Sequence, residues 1–157
     1  MPTLDDVYRK FGEAAEAAQL LETELGTMLL DIQGSAEGLH LTSNAKRASE
    51  LYVKIDKHTL GQLMNHLSKR TQPVDGLERL LSQALKARNR LFHSFYRKHN
   101  LRRNSDEGRA RMLEDLEKMH DTLLDAFKAI SLLNGIDLEA LAENLKDLPL
   151  PTGHLPI

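Results

Sequence analysis

The sequence predicts an all-α protein, an antiparallel bundle of four to five helices. Three observations carry this. Leu, Ala, Glu and Lys are plentiful and aromatic residues make up only 4% of the chain, a composition that favours helix over sheet. Apolar residues recur at three- and four-residue spacing, the period of a helix with one buried face. No credible strand appears, and no internal repeat. A chain of 157 residues suffices for one domain with its own core. Residues 1–145 read as that single helical domain and 146–157 as a Pro-rich tail.

The first helix is expected from Leu4 to Ile32, capped by Thr3, with Asp5 and Asp6 against the positive end of its dipole. Val7, Phe11, Ala14, Ala18, Leu21, Leu25, Met28, Leu29 and Ile32 form its apolar stripe, read as core packing with a dimer seam as the alternative. Gly34 to Gly38 reads as a loop. A second helix covers Ser43 to Lys57 with Ala45, Ala48, Leu51, Tyr52 and Ile55 inward, and a third runs from Thr59 to Lys69. Thr71-Gln72-Pro73 is a turn, because proline cannot continue the preceding helix. Asp75 and Glu78 form a capping-box pattern for a fourth helix that ends near Lys98. Asn100 to Asn104 is a basic loop. Ser105 caps a fifth helix that Asn134-Gly135 terminates. A short helix over Leu138 to Leu145 follows.

Several functions are set aside at once. There is no cysteine, hence no disulfide scaffold, thiolate metal site or cysteine nucleophile. No signal peptide pattern opens the chain, and no stretch approaches the roughly 18 apolar residues of a membrane span. The expectation is a cytoplasmic protein with no membrane association. His58, His66, His99 and His120 show no metal-ligand spacing backed by carboxylates, so neither metal nor cofactor is expected. Glu117, His120 and Asp121 read as a solvated helix face. Glycine-rich phosphate loops and a nucleophile elbow are missing.

Charge is unevenly spread. The chain carries 21 basic and 23 acidic residues, yet 80–105 contains no Asp or Glu and seven Lys and Arg: Lys86, Arg88, Arg90, Arg97, Lys98, Arg102 and Arg103. Such a segment in an otherwise acidic chain points to a polyanionic partner. The alternative is a basic helix C-terminus, where cations are favoured by the dipole.

On a helical wheel Arg88 falls in the middle of an apolar face made by Leu77, Leu80, Leu81, Ala84, Leu85, Leu91, Phe92 and Phe95. A buried guanidinium is costly unless paired, so it either has a task or meets a carboxylate from another helix. Beside that face lies a polar stripe of Ser82, Lys86, Asn89, His93 and Tyr96. Histidine moves protons near neutral pH, and arginine presents a planar fork to a phosphate and stabilises charge building on its oxygens. Asparagine orients the phosphate or fixes the imidazole tautomer. Together they suffice for metal-independent RNA cleavage, in which a 2′-OH attacks the adjacent phosphate. The surrounding Lys86, Arg90, Arg97, Lys98, Arg102 and Arg103 supply affinity for the RNA backbone, and Tyr96 either stacks on a base or closes the core edge.

Arg88-Asn89-Arg90-Leu91-Phe92-His93 resembles the signature of the HEPN superfamily: an arginine, a polar residue after it, and a histidine after four to six intervening residues, here four. The resemblance implies a HEPN-like helical bundle that dimerises, bringing two copies of the motif to a cleft between subunits. It implies a ribonuclease, in some members the toxin of a toxin–antitoxin or defence system with an antitoxin protein as partner. Arg88 and His93 would be the catalytic pair and Asn89 the supporting polar group. Other members are inactive modules that bind RNA or a protein, which is the alternative function. One toxin branch has a tyrosine two residues after the histidine, modified by nucleotide transfer. Here that position is Phe95 and the tyrosine is Tyr96, a departure that speaks against this regulation.

Overall fold

Capping side chains set most of the helix starts. Thr3 Oγ1 accepts from the Asp6 N–H at 3.1 Å while Asp6 Oδ2 accepts from the Thr3 N–H at 2.8 Å, a reciprocal box. Asn44 Oδ1 accepts from Arg47 N–H, Gln62 Oε1 from Thr59 N–H, and Ser105 Oγ from Gly108 N–H. The computed structural model describes residues 1–39, 44–69 and 76–136. Among these every regular element is helical: α1 Leu4–Ala36, α2 Ala45–Asp56, α3 Leu60–Ser68, α4 Leu77–His99, a 3-10 helix Asn100–Asn104, and α5 Asp106–Leu133. Gly76 holds the N-cap position of α4. The Thr71–Pro73 turn, the Asp75 cap, the Leu138–Leu145 helix and the tail lie outside the described residues.

Two boundaries differ from expectation. Gly34 does not stop α1, which continues to Ala36. The stop is Gly38, at φ 69°, where the Gly38 N–H donates to Ser35 O and the Leu39 N–H to Gly34 O. This paired closure needs a left-handed residue, and glycine takes that conformation without a Cβ clash. Gly135, at φ 85°, closes α5 in the same way, as the sequence predicts. The basic segment Asn100–Asn104 is a 3-10 helix rather than an open loop. It lies so close to α5 that a methyl group on Gly108 would overlap the Arg102 backbone.

α5 is the element against which both α1 and α4 pack most extensively; α2 and α3 pack on α1. The core runs along that seam. Val7, Ala14, Leu21, Leu25 and Leu29 of α1, Leu91 and Phe95 of α4, and Met112, Leu116, Leu123 and Ile130 of α5 are buried together. Each large aliphatic side chain so buried contributes roughly 1.5–3 kcal/mol. α2 contributes only Leu51 and Ile55. Ala45 and Tyr52, expected inward, are exposed, because so short a helix, packed chiefly on α1, buries only a narrow arc.

The helix directions follow from cross-helix contacts. Tyr8 meets Tyr96, Phe11 meets Phe95, and Glu22 meets Arg88, so α1 and α4 are antiparallel. Lys10 meets His120 and Glu24 meets Asn134, so α1 and α5 run parallel at a constant offset.

Candidate functional site

α4 buries Leu81, Ala84, Ala87, Leu91, Phe95 and His99. On the wheel the centre of this arc lies only about 30° from Arg88. The guanidinium is therefore drawn inward, with 20% of its side chain exposed. Its Nε donates to Glu22 Oε1 of α1 at 3.1 Å, which is the cross-helix carboxylate that the burial argument calls for. A second nitrogen donates to Asn89 Oδ1 at 3.4 Å, and the guanidinium carbon lies 5.0 Å from the centre of the Phe92 ring. Phe92, expected on the buried face, is 42% exposed, because α4 turns its buried arc the other way.

Asn89 and His93 are exposed. The His93 ring has no hydrogen-bond partner among the described residues. Arg88 and Asn89 are thus in contact, whereas Arg88 and His93 diverge by about 140° around the helix and share no hydrogen bond. Within one chain the expected catalytic pair is not assembled on one point.

The expected RNA-binding cations divide into two groups. Lys86, Arg97 and Lys98 are exposed and have no ion-pair partner among the described residues. Arg90, Arg102 and Arg103 are held by other side chains. Arg90 pairs with Asp115 of α5, and the same carboxylate oxygen lies 2.7 Å from His99 Nε2. Arg102 donates to His99 Nδ1 at 3.2 Å. Donation into Nδ1 leaves the His99 proton on Nε2, facing Asp115. Arg103 donates to the Tyr8 hydroxyl at 3.3 Å. Tyr96 lies beside Tyr8 and Phe11 at the edge of the core, and burial, reinforced by Tyr8, raises its hydroxyl pKa above the ordinary value.

Sequence reasoning missed Asp115 and Tyr8. Asp115 is one acid among several on α5, and only the tertiary fold puts it opposite Arg90 and His99. It also missed a cavity of about 330 Å³ between α1, α2 and α3, lined in part by Glu22, Asp56, His58 and Tyr52. The His58 ring stacks on His66 at 4.6 Å between centroids, and its Nδ1 is buried without a partner among the described residues. No group of three or more His, Asp or Glu side chains that would hold a metal ion occurs among the described residues, and no helix there is long and apolar enough to cross a membrane. No protein-family model, curated protein or solved structure matches the chain.

Proposed function

We propose that this chain is a HEPN-like ribonuclease that acts as a homodimer and cleaves RNA without a metal. The observation that carries the reading is the setting of Arg88. It is a partly buried arginine whose guanidinium is fixed by Glu22, Asn89 and the Phe92 ring, beside an exposed His93, on a helix segment without carboxylates. His93 takes the proton of a 2′-OH, the oxygen attacks the neighbouring phosphorus, and Arg88 stabilises the added negative charge. The 5′-oxygen leaves with a proton, and a 2′,3′-cyclic phosphate remains. Because Arg88 and His93 diverge around the helix, the reading has them meet one phosphate across a twofold axis, one subunit supplying the arginine where the other supplies the histidine. In a toxin role, an antitoxin protein would occlude the same face.

The test is cleavage of a single-stranded RNA in EDTA. Arg88→Ala and His93→Ala should each abolish it with the helical signal intact, and sedimentation should find a dimer. Cleavage that persists in the His93→Ala protein rules the mechanism out.

One observation favours a second reading. The Arg88–Glu22 pair forms within a single chain, as a structural ion pair would. In that reading the protein is an inactive helical module that binds RNA or a protein partner. Glu22→Gln separates the two. It slows cleavage if the pair orients a working arginine, whereas a structural pair leaves no cleavage to slow, even in the wild type.

A further inference from the structure

We infer that the seam between the start of α1 and the end of α4 is a stacking platform for the bases of single-stranded RNA, with Tyr8, Phe92 and Tyr96 as its ring surfaces. The inference rests on the RNA reading above and narrows its substrate. Three large rings lie open here: Tyr8 is 46% exposed, Phe92 42% and Tyr96 41%. They are grouped around one floor, Phe11, whose ring centre lies 5.2 Å from Tyr96 and 6.5 Å from Phe92, while Tyr8 and Tyr96 are 6.4 Å apart. The rings come from two helices, so this grouping is a product of the fold.

The charge around the platform suits a polyanion. Arg103 reaches its rim through the Tyr8 hydroxyl, and the Arg88 guanidinium lies over the Phe92 ring. On the α1 side the carboxylates are Asp5, Asp6, Glu13, Glu16 and Glu22, of which Asp6 is held by Thr3 and Arg9, Glu13 by Lys10 and Glu22 by Arg88. One turn beyond Tyr8 stands Gly12. A methyl group there would meet nothing within 4 Å among the described residues, so their packing does not require the glycine, although it weakens the helix. It leaves a low strip of backbone beside the rings, where a planar base can approach.

A duplex hides the faces of its bases, and the deep major groove of A-form RNA does not admit side chains. Exposed rings among cations serve unstacked bases, each of which has a π-face regardless of sequence. The platform also leads toward the candidate site, since Phe92 touches both Phe11 and the Arg88 guanidinium. A strand laid on Tyr8 and Tyr96 would bring its next phosphates toward Arg88.

Fluorescence anisotropy with a labelled 2′-O-methyl strand, which lacks the attacking hydroxyl, measures binding apart from cleavage. The wild type should bind a strand of about 12 nucleotides more tightly than the blunt duplex of the same sequence. Tyr8→Leu and Tyr96→Leu, which keep apolar bulk but lose the ring, should each weaken strand binding about tenfold. Tyr96→Phe should bind as the wild type does, and thermal melts confirm that all three variants fold. Unchanged binding by the leucine variants, or equal binding of duplex and strand, overturns the platform and leaves the RNA reading standing. No binding of either RNA by the wild type removes both. Leucine variants that lose self-association in sedimentation but keep RNA affinity would make this face a seam between copies, which also overturns the platform.

Discussion

His99 Nε2 lies 2.7 Å from Asp115 Oδ2, and the histidine is only 3% exposed. The same carboxylate holds Arg90, so one acid on α5 fixes two points of α4, and through Arg102 it also holds the 3-10 helix. Asp115→Ala leaves an almost fully buried imidazole and a half-buried guanidinium without their acceptor. The expected loss is about 2–4 kcal/mol in urea unfolding. Asp115→Asn, which keeps an acceptor for His99, should lose less. A loss below roughly 0.5 kcal/mol for the alanine variant would mean that the network does not hold these elements together.

Two glycine-to-alanine changes should move stability in opposite directions. At Gly108 the added methyl runs into the Arg102 backbone, which cannot swing aside as a flexible side chain would. Gly108→Ala should cost about 1–3 kcal/mol despite the better helix propensity of alanine. At Gly12 nothing among the described residues stands in the way, and Gly12→Ala should add roughly 0.5–1 kcal/mol. Thermal unfolding of the two variants beside the wild type decides both signs.

Acidification should weaken the fold in part through His120. Burial, then the Lys10 ammonium 3.0 Å from Nδ1, lowers its pKa below the ordinary 6.5, against the opposing pull of Glu13, Asp121 and Glu16. The unfolded chain takes up this proton near pH 6.5, the folded chain only at lower pH. Stability from this group is therefore complete above pH 6.5 and is lost as pH falls through the folded pKa. His120→Gln should give a shallower fall in unfolding free energy between about pH 7.5 and pH 5.5. Equal slopes for variant and wild type would exclude His120 as a source of the pH dependence.

What is written locally in the sequence was legible. The Thr3 and Ser105 caps, the Asn134-Gly135 stop and the α1 stripe depend on neighbours within a turn or two, and they stand where the pattern puts them. The wheel position of Arg88 also called for a cross-helix carboxylate or a task, although it did not single out Glu22. What failed depends on how far a neighbour reaches. Tyr52 and Ala45 lie on the inward side of a plausible stripe, but α2 touches too little to cover them. Phe92 falls on the apolar side of α4 by periodicity and is left open because the packed arc is rotated from the average of its leucines. Tyr8 and Asp115 carried no signal at all. Their roles arise from contacts with residues 88 and 95 positions away in one case and 16 and 25 in the other.

The contacts of α1 have a mechanical consequence. The Pro2 carbonyl accepts from Arg109, Lys10 meets His120 and Glu24 meets Asn134, at sequence separations of 107, 110 and 110. On its other flank Tyr8, Phe11 and Glu22 engage α4 in descending order. These fastenings are spread along a rod of about 50 Å. A slip of one turn, about 5.4 Å, would undo every one of them together. α1 therefore works as a vernier: it admits a single seating, and the height of Arg88 above the rest of the molecule is read off from it.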